Sequence, residues 1–544
     1  MRLLVPFCTL ALLAGCTHEN GDAAVGFHFD EQLFRQDIET LSSDAFEGRA
    51  PTTHGEKMTL DYLVSAFKSM GLQPGPAGSY LQKVPMVSYT ASEQQQITLA
   101  GLPLKYRQDV VFSSHHDVKQ IDIENAPLVF VGYGINAPEY GWNDYQGLNM
   151  QGKIAVILVN DPGFAGPTSG KFNGKAMTYY GRWTYKYEEA SRQGALGAII
   201  IHQTEPASYP WAVVQHSWTG PQQDLAEANP QPRVAVEGWM TLDAAKAVFA
   251  ASGLELQAAL DRAAHGPMQL PLEQTATIKF ANNAEYGESY NVIANLPGTA
   301  KADEHILFTG HWDHLGKDDS LAGDKIFNGA MDNASGVSGM LAIARQFVAA
   351  AKAGHGIKRS VTFVVTTGEE QGLLGSRYYA DHPLYPLKNT IGVFNLDSTN
   401  VYGRTKDFTI VGKGKSELEL YLTAAATLQQ RQVNAEQHPE SGGYFRSDHF
   451  SFAKYGVPAV FGSSGQEPID EATAKYKEQM QKRMKGCYHN VCDEYQADWD
   501  LSGALEDLAV YYQAATMLGN SNARPGYYEG TEFYSLRPAA HIKL

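Results

Sequence analysis

Five places in the chain join a strand end or turn to residues that bind metals or move protons. His311-Trp-Asp313-His314 follows the apolar run from His305 to Gly310. Asp332 and Asn333 lie within Gly-Ala-Met-Asp-Asn-Ala-Ser-Gly, and Glu369-Glu370 come directly after Gly368. Asp397 closes Ile391-Gly-Val-Phe-Asn-Leu-Asp, and His489 sits between Cys487 and Cys492. Imidazole nitrogen and carboxylate oxygen are what zinc takes in an open catalytic site. Two histidines and three carboxylates at the strand ends of one sheet could hold two zinc ions about 3.5–4 Å apart, sharing a carboxylate. Adjacent side chains leaving a strand diverge, so one glutamate of the pair can bind metal while the other serves as a base. Each residue alone has a plainer reading. Asp332 or Asn333 could cap the next helix, Asp397 could be a turn residue, and His311 and His489 could be ordinary loop polars. It is their occurrence together that points to a metal centre.

The elements that must position them are legible around each one. Val361 to Thr367 and Ile391 to Asn395 read as buried strands, and Val337 to Ala353 as an Ala-rich helix. Strand–turn–helix units from Tyr290 onward predict a mostly parallel sheet with helices on both faces. Such sheets carry their sites at the carboxyl ends of the strands. Ahead of them, Glu31 to Leu41 and Lys57 to Met70 read as helices, the second stopped by Gly71. Short strands around Val129, Val156 and Ile200, with a helix over 185–193, predict a separate β-rich domain at 121–275. It would cover or narrow a neighbouring cleft, or act as a spacer. The part that carries the candidate ligands would then be 27–120 and 276–522, with a tail over 523–544.

The motifs resemble, in order, those of the dizinc aminopeptidases of clan MH, the group of leucyl aminopeptidase and glutamate carboxypeptidase type. Their carriers are His311-x-Asp313, Gly-Ala-Met-Asp332-Asn-Ala-Ser-Gly, Gly-Glu369-Glu370-x-Gly-Leu-Leu-Gly-Ser, Asn-Leu-Asp397 and Tyr-His489. Leu41 to Arg49 looks like the family's N-terminal segment, and residues 130–156 look like its protease-associated insertion. Met331 departs from the aspartate often found there. The resemblance implies a zinc-exopeptidase fold of phosphorylase/hydrolase type. Asp332 would bridge two Zn²⁺ ions, with His311 and Asp397 on one and Glu370 and His489 on the other. Glu369 would be the general base for a water shared by the ions, and Asp313 would orient the His311 ring. Tyr444 would help hold the oxyanion, and the Asp332–Asn333 bond would be cis. Asp448 and His449 match a family motif but receive no catalytic role. Substrates would be peptides with a free N-terminus. The competing implications are a glutamate-type carboxypeptidase, needing an arginine-lined pocket for which Arg446 is the lone candidate, and a glutaminyl cyclase, which the insertion argues against. A transferrin-receptor-like binding module would have lost ligands that are all retained here.

Composition narrows the rest. With 544 residues, 43% hydrophobic, there is ample core for more than one domain. A formal charge of −16 lacks the basic footprint of a nucleic-acid binder. Arg2, the apolar Leu3 to Leu13 and Leu-Ala-Gly-Cys16 read as a secretory signal ending in a lipobox. Cys16 would be the lipidated first residue, 17–26 a tether, and Thr17 would direct an outer-membrane anchor facing the periplasm. An exported, oxidising setting favours a Cys487–Cys492 disulfide, the alternative being two reduced buried thiols.

Overall fold

The computed structural model describes residues 29–166, 171–226 and 232–543. Cys16 and the tether lie outside them. The frame is a mixed sheet whose centre is parallel. Lys301–His311 runs parallel to Arg359–Thr366 on one side and to Thr390–Asn395 on the other. Ala459–Ser464 extends the parallel set beyond Thr390–Asn395. Asp407–Val411 then pairs antiparallel and carries the edge strand Gln432–Ala435. Every residue of Arg359–Thr366 and Thr390–Asn395 is buried, as expected of strands covered on both faces.

Helices supply those covers. Phe308 stacks between Phe363 and Phe394, each pair of ring centroids 5.5 Å apart. Phe347 of the helix Gly336–Lys352 packs onto Phe308 from above. Leu307, Val364 and Val393 point the other way, into a second core with Tyr379 and Phe452. At the amino end, the helix Glu31–Leu41 forms as expected, and Lys57 to Met70 belongs to a slightly longer one, His54–Met70. Gly71 ends it in the left-handed region at φ 88°.

The expected insertion is a second sheet, and its make-up differs from expectation. Gln120–Phe130, Ile154–Leu158, Gly197–Ile201 and Val236–Met240 run parallel in that order. The helices Trp183–Arg192, Leu242–Ala251 and Leu256–His265 accompany them, so this unit is α/β rather than merely β-rich. Its edge strand, Val110–Ser113, comes from ahead of residue 121. Its other margin is the strand Leu270–Leu296, 27 residues long. That strand pairs with Gln120–Phe130 at one end and with Arg359–Thr366 at the other. One strand thus belongs to both sheets, and no linker near 275 separates them. The insertion is more than a spacer: Tyr179 packs on Phe445 and Phe450 in the segment leading to and following Asp448. The expected tail is also tied down, with Tyr527 fully buried and its hydroxyl donating to the Val457 carbonyl at 2.7 Å.

The three-ring stack is the middle of the parallel core. Phe308→Ala should lower unfolding free energy by about 3–5 kcal/mol, read from a urea transition. A loss under about 1 kcal/mol would show that the stack carries little of the core's stability.

Candidate metal centre

The parallel strands end together, and the candidate ligands follow them. His311 is the last residue of its strand, Glu369 lies three residues beyond Thr366, and Asp397 two beyond Asn395. These three adjacent strands therefore deliver one imidazole and three carboxylates, counting Glu370, to one edge of the sheet. Asp332 enters from the turn Ala330–Ser335 that opens into the helix Gly336–Lys352. The Asp332–Asn333 bond is cis. Both plain readings of that pair are resolved here. Asn333 Oδ1 accepts from Gly336 N at 3.0 Å and Ser398 N at 2.9 Å, so Asn333 does the capping. Asp332 is left to face the cluster. His489 arrives on a loop closed by the Cys487–Cys492 disulfide.

The geometry gathers the other four expected ligands about Asp332. Its Oδ1 lies 3.3 Å from His311 Nε2, and its Oδ2 lies 3.3 Å from His489 Nε2. On the first side, Asp397 Oδ1 is 3.4 Å from His311 Nε2, and Glu369 Oε2 is 3.9 Å away. On the second side, Glu370 Oε2 is 2.9 Å from His489 Nε2. Ligand atoms of His311, Glu369 and Asp397 fall within 4.8 Å of one another, as do those of His311, Asp332 and Glu370.

The electrostatics demand positive charge. Four carboxylates share this volume, and among the described residues no lysine or arginine forms an ion pair with any of them. Burial works against a charged His311, yet Glu369, Asp332 and Asp397 outweigh it and raise its pKa. Burial likewise opposes a charged His489, which Asp332 and Glu370 push up to about 10. Glu369 is driven up by burial and by its neighbours Asp397 and Glu370, against the pull of His311. His311 Nε2 is buried with no hydrogen bond of its own, aimed into this carboxylate set. A buried nitrogen donor, oxygen donors on two sides and a shared carboxylate fit two divalent cations. Two dications would also neutralise the four carboxylates.

Some expected roles change. The His311 ring is held by the backbone carbonyl of Asp313, at 3.1 Å from Nδ1, while the nearer carboxylate oxygen is 3.8 Å away. That carboxylate instead accepts from the backbone N–H of Glu369 at 3.1 Å and of Glu370 at 3.4 Å. Asp313 therefore fixes both sides of the corner. Tyr444 does not enter the site. Its ring is buried against Gly412, and its hydroxyl donates to the Ala459 carbonyl at 3.2 Å. With its hydroxyl committed to the core, Tyr444 is a packing residue. Arg446 is exposed.

Other residues at the site went unrecognised in the sequence. His314 Nδ1 lies 2.6 Å from Glu370 Oε1 and clamps that ligand. Gly329, at φ 55°, makes room for it, since a Cβ there would meet the His314 ring at 2.6 Å. Asp493 accepts from the N–H groups of Met331 and Asp332 at 3.0 and 3.1 Å. Arg49 is buried and donates to the carbonyls of Leu41, Trp312, Asn328 and Gly329 at 2.6–2.9 Å. It ties the His311 corner to the Asp332 turn. Tyr488 stacks on His489 with ring centroids 3.9 Å apart. Desolvation of its hydroxyl and the carboxylates of Asp332, Glu370, Glu369 and Asp397 together raise its pKa.

The candidate ligands thus sit at the strand ends of a parallel sheet, and this part of the chain is similar to known proteins. Residues 291–513, which carry all five candidate ligands, match the model of peptidase family M28. A probable zinc metalloprotease of Pyrenophora teres f. teres is 36% identical over 107 residues, covering 20% of this chain and 22% of that one. Leupeptin-inactivating enzyme 1 of Streptomyces exfoliatus is 25% identical over 240 residues, 44% of this chain and 50% of that one. The chain thus spans only about a fifth to a half of the curated relatives it matches. Among solved structures, an aminopeptidase from Aneurinibacillus sp. strain AM-1 aligns over 92% of this chain and 95% of its own, at 22% identity and TM-score 0.49. The zinc aminopeptidase BSAP from Bacillus subtilis aligns over 93% and 99%, at 17% identity and TM-score 0.44.

His314 touches a ligand without being one. His314→Ala should weaken zinc binding by about 10–100-fold, measured by competition with a chelator of known affinity. Unaltered affinity would show that Glu370 needs no such clamp.

Proposed function

We propose that this chain is a zinc-dependent aminopeptidase that removes N-terminal residues from peptides. The observation that carries the reading is Asp332, whose two oxygens each face a different histidine at 3.3 Å. On this reading Asp332 is shared, His311 and Asp397 complete one position, and Glu370 and His489 complete the other. Two zinc ions there would supply Lewis acidity and favour deprotonation of water near neutral pH.

The chain's own groups do the rest. The Glu369 side chain makes no hydrogen bond among the described residues, so it is free to take the proton of the attacking water. The elevated pKa imposed by its surroundings suits it to hold that proton and pass it to the leaving amine. Asp313 keeps the Glu369 backbone in register. The substrate's α-amine would sit against the carboxylate cluster, which makes the enzyme work from the amino end. With Tyr444 turned into the core, Tyr488 is the phenol placed to donate to the developing oxyanion. The disulfide beside His489 is in keeping with an exported protein anchored through Cys16.

Glu369→Gln should keep zinc content near that of the parent protein and lower kcat by about 10²–10⁴-fold, measured on aminoacyl p-nitroanilides with metal analysis. Loss of zinc in that variant would make Glu369 a ligand instead. Tyr488→Phe should lower kcat with KM and zinc content little changed, whereas Tyr444→Phe should act on stability. The reverse pattern would return the oxyanion role to Tyr444.

A further inference from the structure

We propose that the cavity beside Asp397 selects substrates with an acidic N-terminal residue, and that Lys477 is the residue that selects them. This rests on the aminopeptidase reading and names the substrate class for it. Asp397 belongs both to the carboxylate cluster and to the rim of a neighbouring cavity, so a substrate whose α-amine sits at the cluster has that cavity within reach of its first side chain. The cavity is walled by Ser398, Thr399, Tyr402, Ser463 and Lys477 beside Asp397 itself.

The wall is made of hydrogen-bond donors with spare capacity. Thr399 Oγ1 is buried and has no partner. The Tyr402 hydroxyl reaches only the Met331 sulfur, at 3.9 Å. Lys477, on the helix Glu471–Arg483, is buried, and its Nζ donates to the carbonyls of Gly465 at 3.2 Å and Gln466 at 3.0 Å. An ammonium has three N–H groups, so one remains. No carboxylate among the described residues forms an ion pair with it. The charge it feels is that of Asp407. Asp407 is occupied in accepting from Gln466 N at 3.0 Å, Glu467 N at 2.8 Å and Asn434 Nδ2 at 3.1 Å. Among the described residues the cavity therefore presents one cation outside any ion pair, one buried hydroxyl without a partner, that of Thr399, and a phenol held only by a weak contact to sulfur. A leucine or phenylalanine side chain would cover these donors and satisfy none of them. A carboxylate satisfies them and supplies the missing negative charge. Met331 is the one long aliphatic side chain of the wall.

The test uses the full zinc-loaded chain with Glu-, Asp-, Leu- and Phe-p-nitroanilide. The acidic substrates should have kcat/KM at least about tenfold above Leu and Phe, a difference of about 1.4 kcal/mol. Lys477→Met should remove that advantage while leaving kcat/KM for Leu unchanged or higher, and Lys477→Arg should restore part of it. Because Lys477 also holds two loop carbonyls, a purely structural role would lower all four substrates alike in Lys477→Met, and that result would overturn the proposal. So would Leu or Phe as the best substrate of the parent protein. Calorimetric binding of L-glutamate hydroxamate and L-leucine hydroxamate reads the cavity without turnover. Tighter binding of the glutamate compound, lost in Lys477→Met, upholds the proposal. Tighter binding of the leucine compound overturns it. If no p-nitroanilide is cleaved while the hydroxamate preference holds, the aminopeptidase reading fails and the selectivity of the cavity stands.

Discussion

Mutual repulsion among Asp332, Glu369, Glu370 and Asp397 is the constraint around which this half of the chain is arranged. Placing that much negative charge at the edge of a buried sheet is unfavourable unless cations accompany it. The surroundings hold the groups in place without neutralising them. Arg49, the obvious counter-charge, is aimed at four carbonyls rather than at any carboxylate. Asp313 and Asp493 add further negative charge, but spend it on backbone N–H groups of the two loops. The scaffold therefore fixes the position of the cluster and leaves its charge to be met from outside the chain.

That division explains why the parallel sheet matters. Strands that run together end together, so His311, the Glu369-Glu370 pair and Asp397 need only short exits to meet. The covalent path between His311 and Asp397 is 86 residues, but their strands are neighbours. The remaining ligands need restraints of another kind. Asp332 depends on the Asn333 cap and on Asp493, and His489 on a disulfide-closed loop. Ligands on strand ends are held by the sheet, whereas ligands on loops are held by dedicated partners.

The sequence disclosed the first kind of restraint more readily than the second. An apolar run broken by glycine or histidine marks a strand end, and a carboxylate or imidazole there is visible without a structure. Arg49, His314 and Asp493 act through contacts whose partners are distant in sequence or face inward, and no spacing rule exposes those. Tyr444 shows the opposite error. Its nearness to Asp448 in sequence suggested nearness to the chemistry, but side-chain direction follows from packing, and Gly412 and Ala459 draw the ring inward. Tyr488, next to His489 and largely exposed, carries no signal of its own in the sequence, because an exposed aromatic is ordinary. The boundary expected near 275 is absent for a related reason. Periodicity marks strands one at a time, and nothing in it shows that Leu270–Leu296 serves two sheets.

The shared strand has a mechanical consequence. Pairing at both ends of Leu270–Leu296 joins the two sheets through backbone hydrogen bonds. Contacts farther along reinforce this: Arg377 bonds Asp224 at 3.2 Å, and Lys454 bonds Glu188 at 2.9 Å. Tyr179 adds an aromatic seam with Phe445 and Phe450, immediately before and after Asp448. Asp448 in turn accepts from Thr366 at the end of the central strand, at 2.6 Å. A continuous packed path thus runs from the second sheet to the strand end that precedes Glu369. Such continuity gives the second sheet a part in bracing the edge that carries the candidate ligands. Rigidity there matters because charges that repel one another separate wherever the backbone lets them.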